Sequence, residues 1–208
     1  MRLLLFLFVA LSTGVFAQEG YHNMKDKAKF KKDLAEKTAS TTSIEASFKQ
    51  EKFMSILSQQ LVSSGTIQYK TPDKVRWSYD TPYIYNIILN GKEIIIDDNG
   101  KVNAFSVGSS KMFSEMNQLI VNSVQGNVLD ETKFQITYLE NDRYFLTKMV
   151  PLDKKQLGTY LSEIDVYFDK NDFSVAQLKL MEPEGDYTQI SFVEKQFNIN
   201  ILDENFNK

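Results

Sequence analysis

The sequence predicts a mainly β domain with helices, built on one large curved antiparallel sheet. Three observations carry this reading. From Ser43 onward apolar residues recur with a period of two; two Asn-Gly turns follow one another inside that pattern; and only two segments switch to the helical period of 3.6. The 208 residues suit one domain with a real hydrophobic core.

Taken in order, the chain opens with Arg2, an apolar run from Leu3 to Leu11, and small residues ending at Val15-Phe16-Ala17. A positive start, a short apolar centre and small side chains are the features a signal peptidase reads. Residues 1–17 are therefore expected to be a cleaved signal peptide and 18–208 a single domain. The run is too short for a permanent span, which needs about 20 apolar residues. No later segment is apolar enough, so the protein is expected not to span a membrane.

Met24 to Thr38 holds good helix formers, with Met24, Ala28, Leu34, Ala35 and Thr38 on one side of the wheel and Lys31 interrupting that stripe. Ile44, Ala46 and Phe48 then alternate with polar residues, as do Ile67 and Tyr69, and Val75, Trp77 and Tyr79. Tyr83 to Leu89 and Glu93 to Ile96 flank Asn90-Gly91, and Lys101 to Phe105 follows Asn99-Gly100, which predicts a meander of hairpins. Further strands are expected at 133–140, 144–150, 163–168, 175–181 and 187–193, for ten or eleven in all. Regular spacing with short turns fits one curved sheet or barrel, or a sandwich.

The pattern breaks at Ser110 to Val124, where Met112, Phe113, Met116, Leu119, Ile120 and Val124 share one arc of a second, amphipathic helix. Such a Met-rich face serves either as core filling or as a lid that repacks around a ligand.

The inventory excludes much chemistry. There is no Cys, hence no disulfide framework, thiolate metal site, thiol nucleophile or lipid-bearing cysteine. The single His22 lies in a terminal stretch expected to be mobile, a poor place for a catalytic base. A net charge of -3 lacks the basic excess that nucleic acid demands. Asp97-Asp98-Asn99-Gly100 has Ile95 where a calcium loop needs a ligand, so turn chemistry explains it better. No phosphate loop or nucleophile elbow occurs, and no cofactor or metal is expected. Among 27 acids a carboxylate pair for hydrolysis remains a remote alternative to a non-enzymatic role.

Ser64-Gly65-Thr66-Ile67, then Pro72-Asp73-Lys74-Val75-Arg76-Trp77-Ser78-Tyr79, Pro82 and the hairpin around Asn90-Gly91 together resemble the periplasmic outer-membrane lipoprotein carriers, the LolA family. The likeness extends from Phe48-Lys49-Gln50 through Gly185, Ile190-Ser191-Phe192, Asn198 and Leu202-Asp203 to Phe206. It implies an incomplete, half-open β-barrel of about eleven strands covered by an N-terminal helix and the inserted helix. It also implies an apolar cavity for lipoprotein acyl chains, loading by an inner-membrane exporter and delivery to an outer-membrane acceptor.

Trp77 matches the family's cavity tryptophan and Val75 the apolar residue two before it. The cavity is accordingly expected to use Phe48, Val75, Trp77 and Tyr79 from the sheet, with Met112, Phe113, Met116 and Ile120 from the covering helix. The resemblance departs at Thr71, where well-known members carry a basic residue before the proline. Arg76 and Lys74, with Lys70 nearby, are the basic residues placed to take over a partner or handover role. The expected protein is thus a monomeric, non-catalytic periplasmic carrier, and the alternative on the same fold is a lipid sensor or regulatory module.

Overall fold

The computed structural model describes residues 20–56, 59–91, 93–106, 129–155 and 157–207. Its elements are β1 (His22–Asn23), α1 (Lys27–Ala39), β2 (Ser43–Met54), β3 (Gln59–Lys70), β4 (Lys74–Thr81), β5 (Tyr85–Asn90), β6 (Glu93–Asp98), β7 (Lys101–Ser106), β8 (Phe134–Glu140), β9 (Tyr144–Pro151), β10 (Glu163–Asp169), β11 (Val175–Met181) and β12 (Tyr187–Phe197). Short 3-10 turns lie at Leu157–Thr159 and Asp203–Phe206.

Among the described residues all pairings are antiparallel, within one twelve-stranded sheet of order β1-β8-β9-β10-β11-β12-β2-β3-β4-β5-β6-β7. The sheet does not close on itself, so the predicted half-open barrel is the observed architecture. The last strand, β12, pairs with β2 in the middle of the sheet, with Phe192 opposite Phe48. The expected covering helix at 110–124, and the signal peptide, lie outside the described residues.

The turns follow from residue chemistry. Between β6 and β7 the loop is Asn99-Gly100, both at positive φ (48° and 90°), as a type I′ turn requires. Gly100 N donates to Asp97 Oδ1 at 2.7 Å, so that acid serves the turn. Between β5 and β6 the frame moves by one residue. Asn90 pairs with Glu93, so Gly91, at φ 64°, takes the first loop position and Asn90 stays in the strand.

The helix starts later than the wheel suggests. Asp26 caps it by accepting from Lys29 N at 2.9 Å, and its buried residues are Phe30 and Leu34. Phe30 meets Phe145 at 4.8 Å and Phe168 at 5.5 Å between ring centroids, which pins α1 to β9 and β10. Lys31 pairs with Glu131 at 2.7 Å and lies over the ring of Tyr138 on β8. The terminus ahead of the helix is an edge strand, contrary to the mobile stretch expected. His22 pairs with Glu140 in the ladder, Met24 N donates to Tyr138 O, and Glu140 accepts from Lys25 N and Lys170 Nζ, each at 2.7 Å. The Lys170 hydrogen bond, then that of Lys25, holds the Glu140 carboxyl below its usual range.

Among the described residues three clusters form the core. The largest joins α1 to β8–β11 through Phe30, Leu34, Tyr138, Met149, Ile164 and Phe168. A second gathers Tyr69, Val75, Leu89 and Ile94 on the same concave face farther along the sheet. The third lies on the opposite face, where Ile201 and Phe206 of the C-terminal segment cover Ile88 and Ile95.

Candidate functional site

An apolar cavity of about 130 Å³ lies between the second half of α1 and the concave face of the sheet. Strand alternation assembles it. Successive side chains point to opposite faces, so one row carries Ile44 and Ala46 from β2, Ile67 from β3 and Trp77 from β4. From the other side come Val166 and Phe168 of β10, Val175 and Leu178 of β11, and Phe192 and Phe197 of β12, with Phe173 from the turn before β11. Leu34, Lys37 and Thr38 close it from α1. The polar lining is Lys37, Thr38, Thr41, Ser174 and Lys195; among the described residues no carboxylate lines it.

Of the predicted residues that are described, Trp77 reaches this cavity. Its indole N–H is buried and finds no acceptor among the described residues, a condition that costs about 1–3 kcal/mol. Phe48 and Tyr79 form the next row beyond it. Phe48 stands 5.1 Å from each of the Trp77 and Tyr79 rings, and Trp77 is 6.1 Å from Phe192. Tyr79 donates its hydroxyl to Gln50 Oε1 at 3.0 Å, and burial pushes that hydroxyl's pKa up. Gly65, opposite Tyr79, lets the chains approach: a Cβ there would sit 1.8 Å from the Ser78 carbonyl oxygen. Val75 is buried on the same face but belongs to the neighbouring Tyr69, Leu89 and Ile94 cluster. Met112, Phe113, Met116 and Ile120 lie outside the described residues.

Arg76 and Lys74 take the other face of β4. Arg76 donates to Asn205 O at 2.9 Å, Asn86 Oδ1 at 3.2 Å and Ser78 Oγ at 3.0 Å, and so anchors the C-terminal segment. Lys74 and Lys70 both pair with Asp203, at 3.1 and 2.6 Å. All three basic residues near Thr71 are thereby engaged with the chain's own end.

A carboxylate pair exists, but outside the cavity. Glu163 and Asp165, on the face of β10 opposite Val166, share Lys148, whose Nζ lies 2.5 Å from Glu163 and 3.2 Å from Asp165. Burial, with Glu163 adding to it and Lys148 opposing, pushes the Asp165 carboxyl up to about 6. Among the described residues no cluster of three or more His, Asp or Glu could hold a metal ion, and no helix is long and apolar enough to cross a membrane.

Most of the cavity was not signalled by local sequence. Val166, Phe168, Leu178 and Phe192 read as ordinary alternating strand residues. Only the long-range pairing of β12 with β2, and the seat of α1 above both halves, brings them to Trp77.

The family model described as "Outer membrane lipoprotein carrier protein LolA" matches residues 39–208. No curated protein matches the sequence. Among solved structures, an uncharacterized conserved protein from Thermus thermophilus superposes with a TM-score of 0.53 at 10% identity, covering 88% of this chain and 94% of that one. A DUF1329 family protein from Desulfovibrio piger gives 0.50 at 13% identity, covering 88% and 98%. At these identities the likeness concerns the fold alone.

Proposed function

The chain belongs to the outer membrane lipoprotein carrier protein LolA family, and on that premise we propose that it is a periplasmic, non-catalytic carrier of lipoprotein acyl chains. Residues 1–17 would direct its export; an inner-membrane exporter would load it and an outer-membrane acceptor would receive its cargo. The observation that carries this reading is the apolar cavity under α1, walled by aromatic and aliphatic side chains and free of acids among the described residues.

The energetics support it. Burial of acyl chains is worth about 0.8 kcal/mol per CH₂, so exposing one chain of about 16 carbons costs on the order of 13 kcal/mol. A carrier between two membranes must offset most of that and still let go. A cavity of about 130 Å³ resembles in size the roughly 150 Å³ site that holds one benzene ring, so it takes only part of a long chain as it stands. Deeper entry requires α1 to move outward from the sheet. The cost of separating Phe30 and Leu34 from their core partners would then moderate affinity, which favours release.

The test uses purified residues 18–208 and inner membranes carrying a radiolabelled lipoprotein. The protein should keep the lipidated form soluble and leave an unlipidated variant unaffected. Equal behaviour of the two forms would sink the proposal. Recovery with one stoichiometric protein partner and no acyl cargo would favour the regulatory module instead.

A further inference from the structure

We propose that the cavity selects an anionic amphiphile, with the apolar tail inside and a carboxylate or phosphate held between Lys37 and Lys195 at its mouth. This rests on the acyl-binding reading and states which chemistry lies next to the acyl chain.

The two lysines reach the cavity from separate elements. Lys37 stands in the last turn of α1, half-buried, with Nζ 4.4 Å from the centre of the Phe197 ring. Lys195 comes from β12, where simple alternation after Phe192 would turn it to the opposite face. A bulge reverses that phase. Val193 pairs with Ser47 and Gln196 with Glu45, so β12 carries one residue more than β2 across this interval, and Glu194 sits there at φ 54°. Bulges re-aim side chains, and a non-glycine residue at positive φ is an unfavourable conformation for the chain to hold. The result here is that Lys195 and Phe197 both line the cavity.

Neither lysine forms a salt bridge among the described residues; Lys195 Nζ donates to Ser174 Oγ. Asp172 feels the charge of both lysines, and its carboxylate accepts from Ser174 N at 2.9 Å and Ser174 Oγ at 2.6 Å. With two ammonium groups against that one carboxylate, the mouth keeps a net positive charge. A neutral acyl chain would need no such pair. Half-buried ammonium groups beside a low-dielectric wall bind an anion more strongly than exposed ones do.

Displacement of a fluorescent fatty-acid probe from the full mature chain tests this, comparing palmitate with monopalmitin, a neutral ester of the same tail. Palmitate should bind roughly tenfold more tightly, and hexadecyl phosphate should share the advantage. K37Q/K195Q should bring the palmitate and monopalmitin affinities measured on that variant to within about twofold of each other, and K37R/K195R should retain the preference. Equal affinity for palmitate and monopalmitin in the unaltered protein overturns the headgroup site but leaves the carrier reading standing. Failure of all three ligands to bind overturns both. Circular dichroism of each variant confirms that any loss is not unfolding.

Discussion

Ala46 is the position at which a working cavity and a packing defect make opposite demands. It is 3% exposed, lines the cavity and pairs with Ile67 in the ladder. Replacing it by Leu adds three carbons into the void. At about 0.8 kcal/mol per buried carbon this contributes about 2 kcal/mol to stability. The cavity term sets a ceiling: at about 24 cal/mol per Å³, leaving about 130 Å³ unfilled costs at most about 3 kcal/mol. Ala46→Leu should therefore raise the urea midpoint, with an unchanged slope and a gain of about 1–2 kcal/mol, while weakening acyl-probe binding by at least tenfold. Both readouts come from one protein preparation. A more stable variant that binds as before would show that ligand does not use this cavity. A destabilised variant would show that there is no room for the added carbons, and the volume argument would fail.

Other expectations test the scaffold. Gly65→Ala places a carbon 1.8 Å from the Ser78 carbonyl, so β4 must shift; a loss of about 3 kcal/mol in urea unfolding and a changed Trp77 emission are expected. Phe206→Ala, at a fully buried side chain on the outer face, should cost about 3–5 kcal/mol in the same assay without altering acyl binding. The Asp165 carboxyl is raised from 3.8 to about 6, so the folded state holds an extra proton between those values. Its contribution is fully present below about pH 4 and is lost as pH rises through 6; the stability of the native protein relative to Asp165→Asn should fall over that window, and a flat difference would refute the assignment. Adding an acyl ligand should change Trp77 fluorescence, since the indole lines the cavity; an unaltered spectrum would place the ligand elsewhere.

Period-two alternation and the Asn-Gly turns placed a strand at each of β2 to β12, but not the reach of β2 to Met54 or the start of β3 at Gln59; alternation of buried and wetter faces holds along β9, whereas β7 and β11 show none. It also set Arg76 and Lys74 on the face of β4 opposite Val75 and Trp77; that this face is taken up by the C-terminal segment had no local signal. The helix wheel chose Ala28 and Ala35 and passed over Phe30, since wheel arithmetic does not weigh one large ring against several small side chains. The two-residue β1 is too short for any periodic signal, and its place depends on the β8 edge and on Glu140. The Lys195 position was hidden for another reason: a bulge inverts alternation, and nothing in Val193-Glu194-Lys195-Gln196 announces one.

The seam between β12 and β2 bears on how the molecule comes into being. Phe192 pairs with Phe48, 144 positions earlier in the chain, so the centre of the sheet cannot form until the end of the chain is available. Until then β2 presents an unpaired edge, the kind of surface that recruits other extended chains. Such distant pairing slows folding toward the millisecond-to-second range. A chain truncated before β12 would lose the partner strand of β2 and part of the cavity wall together, so folding of the sheet and completion of the cavity are one event.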